Sequence, residues 1–126
     1  MPDAPLRFDP DSVRAAWDQA ADAYTAGQAS GRDYYRYEFF GPAQVAMCGD
    51  VRGLRLLDVG CGSGYIAREM TRRGARVTAI DIAPRMIAHA RRLESESPLG
   101  IEYQVVDAAE LGTSFSTESL DRKSVV

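Results

Sequence analysis

LLDVGCGSG occupies residues 56–64, and an aspartate, Asp81, closes the next apolar stretch. The segment starts within a nearly apolar run, Leu54 to Val59, long enough for a strand and too short for a helix. Asp58 stands near the end of that run, and Gly60, Gly62 and Gly64 follow on alternate positions. Without Cβ atoms the chain can turn sharply there from strand into helix, leaving bare backbone at the helix N-terminus where a ligand can lie. An acidic residue about 20 positions further on can accept hydrogen bonds from both hydroxyls of a ribose, and Asp81 has that spacing.

Outward from this corner the rhythm is regular. YIAREMTRR reads as a helix closed by Gly74, RVTAI (76–80) as a second strand ending at Asp81, and Pro84 as the first turn of another helix. On that helix Met86, Ala90 and Leu93 share a face, and IEYQVV (101–106) then makes a third strand that ends at Asp107. Strand-helix-strand-helix-strand with apolar strands predicts an α/β fold whose parallel sheet is buried on both faces. Right-handed crossovers bring all three strand C-termini to one edge, so Gly60 to Gly64, Asp81 and Asp107 converge on one crevice. That edge is a nucleoside-binding edge. Its spacing is G-x-G-x-G, with Tyr65 where a dinucleotide site has its third glycine, and no GK[ST] phosphate loop occurs. A ligand with a ribose but no phosphate fits best.

Upstream, residues 1 to 11 carry three prolines and three aspartates and read as a mobile lead-in. Ser12 is placed to cap a helix with Val13, Trp17, Ala20 and Tyr24 at helical spacing; TAGQASG (25–31) reads as a loop. Asp33 is placed to cap a second helix, YYRYEFF, and Gly41-Pro42 interrupts it before a short third one ending near Cys48-Gly49. Residues 1–50 thus form an N-terminal helical segment and 51–120 the αβ portion.

Fifteen basic and eighteen acidic residues give a net charge of −3, which argues against a general nucleic-acid binder or a basic membrane-surface protein. No apolar run reaches the length of a membrane span, and MPDAPLRFDP lacks the layout of a secretory signal. Cys48 and Cys61 show neither metal-ligand spacing nor a disulfide framework, so no metal is expected and a reducing cytoplasm is the default. No Ser-His-Asp or Cys-His arrangement occurs, and the oligomeric state is left open.

Lysine usage sets the last six residues apart. Every basic residue up to position 122 is arginine, and the single lysine, Lys123, falls within DRKSVV (121–126). Those six residues are also the in-frame translation of a common sequencing adapter, so 121–126 is read as a non-native tail on a reading frame cut near Leu120.

LLDVGCGSG, VTAID ending at Asp81, and VVDAAEL (105–111) together resemble the first three signature segments of class I S-adenosylmethionine-dependent methyltransferases. The likeness is greatest to the small-molecule group that includes ubiquinone and menaquinone biosynthesis methyltransferases, and it covers about residues 10–112. The resemblance implies a Rossmann-like parallel sheet, of which only the first βαβαβ half is present, preceded by N-terminal helices acting as a lid. It implies S-adenosylmethionine as cofactor and a small-molecule methyl acceptor, with no nucleic-acid or membrane partner. Residue by residue, it assigns Gly60, Cys61, Gly62 and Gly64 to the backbone around the methionine and ribose, and Asp58 to organising that loop or receiving the cofactor's amino group. Asp81 would hold the ribose hydroxyls, Ile82 and Met86 would pack near the adenine, Asp107 and Ala108 would read its edge, and Tyr24 would cover the methionine end.

Plainer readings stand beside these. Asp81 can also cap the helix begun at Pro84, and Asp107 can be a turn residue. Trp17 at helical spacing reads as core, Cys61 as a small tight-fitting residue, His89 as solvent-facing, and Arg91-Arg92 as a solvated helix end. Other enzyme readings are an aminopropyl transferase or an NAD(P)-linked Rossmann protein; a non-catalytic cofactor-binding module is a further one. With its fourth strand missing, the Leu54 to Val59 strand would be an open apolar edge, and the chain is expected to be insoluble, self-paired or inactive.

Overall fold

The computed structural model describes residues 9–31, 41–111 and 122–125, the last of these as backbone. Helix α1 (Pro10–Ala29) and helix α2 (Gly41–Met47) precede β1 (Arg55–Val59), α3 (Tyr65–Arg72), β2 (Arg76–Asp81), α4 (Pro84–Glu96) and β3 (Glu102–Val105). A 3-10 turn (Ala108–Glu110) and β4 (Arg122–Val125) follow. The strands form one sheet in the order β3-β2-β1-β4, and every pairing is parallel. Register sets Val59 beside Ile80 and Asp81 beside Val105, which brings the three C-terminal ends together as expected.

The period of two along β1 divides the core. Leu56 points to the face covered by Ile66, Met70, Val77 and Ile87, whereas Leu57 and Val59 join Ile80 on the opposite face, with Val106 and Leu111 against them. Ala67 and Ala90, both fully buried, let α3 and α4 approach the sheet closely. Gly64 is the residue before α3 and has a φ of 98°; a Cβ there would collide with the hydroxyl of Tyr103.

Several local expectations are corrected. α1 starts one turn earlier than Ser12 suggests: Asp9 is the cap, accepting from Asp11 N (3.1 Å) and Ser12 Oγ (2.6 Å), with Pro10 opening the helix. The helix also runs through Thr25 to Ala29, read as a loop, because Thr25 and Gln28 are buried against the rest of the protein. That tertiary contact outweighs the weak helix propensity of Thr and Gly. The expected helix at YYRYEFF, its Asp33 cap and residues 1–8 of the lead-in lie outside the described residues.

The open edge foreseen along β1 is absent. β4 pairs with β1 from Leu56↔Arg122 to Val59↔Val125, on the side away from β2, where the resemblance puts a fourth strand. An apolar strand with unpaired N–H and C=O groups accepts any extended segment, since ladder bonds are made by backbone. Pairing of this kind is indifferent to the segment's origin, and it removes the structural ground for expecting aggregation through β1.

Candidate functional site

The corner after β1 is pinned by its neighbour. Gly60 N and Cys61 N both donate to the carbonyl of Ile80 at 2.9 Å, and Val106 N donates to the Asp81 carbonyl at 3.0 Å, so all three strand ends are joined. Gly60 and Gly62 have φ of 73° and 55°, values costly for any other residue. A Cβ on Gly62 would stand 3.8 Å from a ring carbon of Tyr24, so the missing side chain keeps clear the gap between the turn and α1.

Asp81 holds the corner together. Its Oδ2 accepts from Gly62 N and its Oδ1 from Ala83 N, each at 2.9 Å. One bond per oxygen leaves each with further acceptor capacity. The aspartate thus does the work of a turn residue before α4 and retains lone pairs for a ligand. Asp107 behaves similarly: Oδ1 accepts from Ala109 N at 3.0 Å and caps the 3-10 turn, with acceptor capacity to spare.

These groups line a cavity of about 770 Å³ at the C-terminal edge of the sheet. Nine of the eleven expected residues meet there: Gly60, Cys61 and Gly62 from the first strand end, Asp81, Ile82 and Met86 from the second, Asp107 and Ala108 from the third, and Tyr24 from α1. Asp58 and Gly64 do not line it. Asp58 is wholly buried within β1, and Gly64 serves the backbone turn into α3. Cys61 is 8% exposed, and burial first, then the charges of Asp58 and Asp81, push its thiol far above the ordinary range. It stays protonated and contributes no nucleophile.

The cavity also takes Val13, Trp17, Gln44, Val59 and Val106. Trp17, read as core, is instead 46% exposed and meets Tyr24 edge-to-face with ring centroids 6.1 Å apart. The helical spacing of Val13, Trp17 and Tyr24 already put them on one face; only the docking of α1 made that face a cavity wall. Gln44, on the short α2, carried no sequence signal. His89 is not solvent-facing: its side chain is 22% exposed and its Nε2 lies 2.7 Å from Asp22 Oδ1 on α1. Arg91 is likewise engaged, donating from Nη2 to the Tyr103 carbonyl at 2.8 Å. No helix among the described residues is long and apolar enough to cross a membrane.

Comparison with known proteins follows the same line. The profile of a family described as a methyltransferase domain matches residues 56–124. A ubiquinone biosynthesis O-methyltransferase of Methylocella silvestris is 54% identical over 55 residues, 44% of this chain and 22% of that protein. An S-adenosylmethionine-dependent methyltransferase of Mesorhizobium loti, of known structure, superimposes with a TM-score of 0.60 and 33% identity, covering 68% of this chain and 38% of its own. The [4+2]-cyclase SpnF reaches 0.62 at 23% identity over 82% of this chain and 45% of its own, a likeness of fold alone. The chain therefore spans less than half the length of each of these proteins.

Proposed function

The chain belongs to the methyltransferase domain family, and on that premise we propose that its crevice binds S-adenosylmethionine for transfer of the methyl group to a small organic acceptor. The observation that carries this reading is Asp81, a carboxylate bonded to the glycine turn on one oxygen and to the start of α4 on the other. It stands ready to accept two adjacent ribose hydroxyls. The residues present suit the cofactor. Bare backbone at Gly60 and Gly62 admits a close-lying ligand, and apolar Ile82, Met86 and Val106 flank the cavity where a flat base would pack. Asp107 offers an acceptor and Ala108 a backbone donor to the edge of adenine, and Tyr24 covers the methionine end.

When bound, the cofactor supplies a methyl group already activated by positively charged sulfur. What the chain does is align and enclose. Asp81 and the glycine turn set the position of the nucleoside, while α1, through Trp17 and Tyr24, screens the opposite wall from water. No side chain of the cavity needs to act as a nucleophile, and Cys61 does not. Tyr65 as the first residue of α3 occupies the place where a pyrophosphate would demand glycine, which supports a phosphate-free ligand.

Calorimetric titration of the chain with S-adenosylhomocysteine, with NAD in parallel, tests the reading. Saturable binding of the first and none of the second is expected. Binding of NAD alone would overturn it.

A further inference from the structure

α1 reaches the cavity from outside the β-α-β core, and its hold on that core is largely polar. Its buried residues are Ala21, Thr25 and Gln28, two of them polar. The apolar cluster at its contact with α4 is small: Ala21, Ala83 and Met86, with Tyr24 against them. Among the described residues little apolar surface holds α1 to the core, so its hydrogen bonds weigh in its docking. At its far end Ser63 Oγ donates to Gln28 Oε1 at 2.6 Å, tying α1 to the glycine turn.

The second tie is Asp18. Its Oδ1 accepts the backbone N–H of Arg85 at 2.9 Å, from 67 positions away in sequence. α4 lacks a cap of its own. Its N-cap residue is Ala83, which has no side-chain acceptor, and Pro84 fills its first position. The neighbouring Asp81 is engaged with Ala83 N and Gly62 N. Asp18 thus provides, from another helix, the acceptor that α4 needs in its first turn. The bonds of Asp18 and of the neighbouring Asp22 are all exposed, but Asp18 accepts from a first-turn backbone N–H that has no partner within the helix. Asp22 makes only exposed side-chain pairs to Arg85 and His89, which are of small worth.

We propose that Asp18 is a positioning residue of the cofactor pocket: by capping α4 it joins the wall bearing Trp17 and Tyr24 to the wall bearing Met86, so that the two close on the ligand as one unit. Asp18 does not itself line the cavity. The inference rests on the reading that this crevice holds S-adenosylmethionine. Only the docked arrangement of α1 completes the site, so weakening the tie lowers apparent affinity by the fraction of molecules left undocked.

Wild type, Asp18→Ala and Asp18→Asn are titrated with S-adenosylhomocysteine, following both heat and the emission of Trp17, the only tryptophan. Alanine favours helix more than aspartate does, so Asp18→Ala removes the acceptor without weakening α1 itself. Asparagine keeps an oxygen in the same place and caps equally well. Asp18→Ala should bind more weakly, by up to about fivefold, and Asp18→Asn as tightly as wild type. In the ligand-free protein, amide exchange at Arg85 should quicken in Asp18→Ala alone. Equal affinities for wild type and Asp18→Ala overturn the inference and leave the cofactor reading standing; equal losses in both variants also overturn it. Failure of wild type to bind overturns both. Should Asp18→Ala not fold, Asp18→Glu, which shifts the carboxylate by one methylene, carries the same expectation against Asp18→Asn.

Discussion

Replacing Asp81 by alanine tests the corner on which the whole site is built. The carboxylate accepts from Gly62 N and Ala83 N, each at 2.9 Å. Hydrogen bonds to a charged acceptor contribute about 1.5–3 kcal/mol each. The cavity admits water, so the freed N–H groups are partly rehydrated and the lower figure applies, giving a loss of about 3 kcal/mol for the pair. In a domain of this length that lowers the melting midpoint by roughly 10–15 °C. Asparagine keeps one acceptor but turns an NH₂ toward the other donor, so it loses half as much or more. Urea denaturation of the ligand-free variants measures this directly. Titration with S-adenosylhomocysteine then reads a separate quantity: loss of two ribose bonds should weaken binding by at least about a hundredfold. Unchanged stability in Asp81→Ala would show that the carboxylate does not hold the turn. Unchanged affinity would show that the ribose lies elsewhere.

Gly64→Ala forces a side chain into a left-handed conformation at φ 98° and into the Tyr103 ring, which is buried and has little room to move. A loss of about 2–4 kcal/mol is expected in urea, and a variant as stable as wild type would sink the packing argument. The bond from His89, then the contacts of Arg85, hold the Asp22 carboxyl below its ordinary value of 3.8. A depressed carboxylate stabilises the folded state fully above that value and loses its contribution as pH falls through the lower, folded value. Asp22→Asn should therefore flatten the acid limb of stability against pH only slightly, because the pairs are exposed, as read from urea midpoints at successive pH values; a steeper limb would count against the pairing. Native alkylation followed by mass spectrometry should label Cys48 and spare Cys61, whose buried thiol stays protonated. Labelling of Cys61 at the rate of Cys48 would contradict its burial.

The β-α-β-α-β core and the converging strand ends were legible from the sequence because each signal is local. Apolar runs of strand length, helical periodicity and three glycines at a turn act over a few residues, and parallel pairing then leaves little freedom in where Gly60, Asp81 and Asp107 come to lie. The double role of Asp81, turn residue and open acceptor, was among the readings its position allowed. Asp58 and Gly64 stand at their motif positions without lining the cavity: the first is buried within β1, and the second turns the backbone into α3.

What tertiary structure alone decided lies in contacts between distant segments. α1 continues past Gly27 because Thr25 and Gln28 are buried, Trp17 becomes a cavity wall because α1 docks on α4, and α4 is capped by an aspartate 67 positions earlier. β1 gains its second neighbour from residues 122–125. None of this is written in periodicity or propensity. A hydrogen bond between segments depends on where folding carries both partners, and no window along the chain contains the two at once.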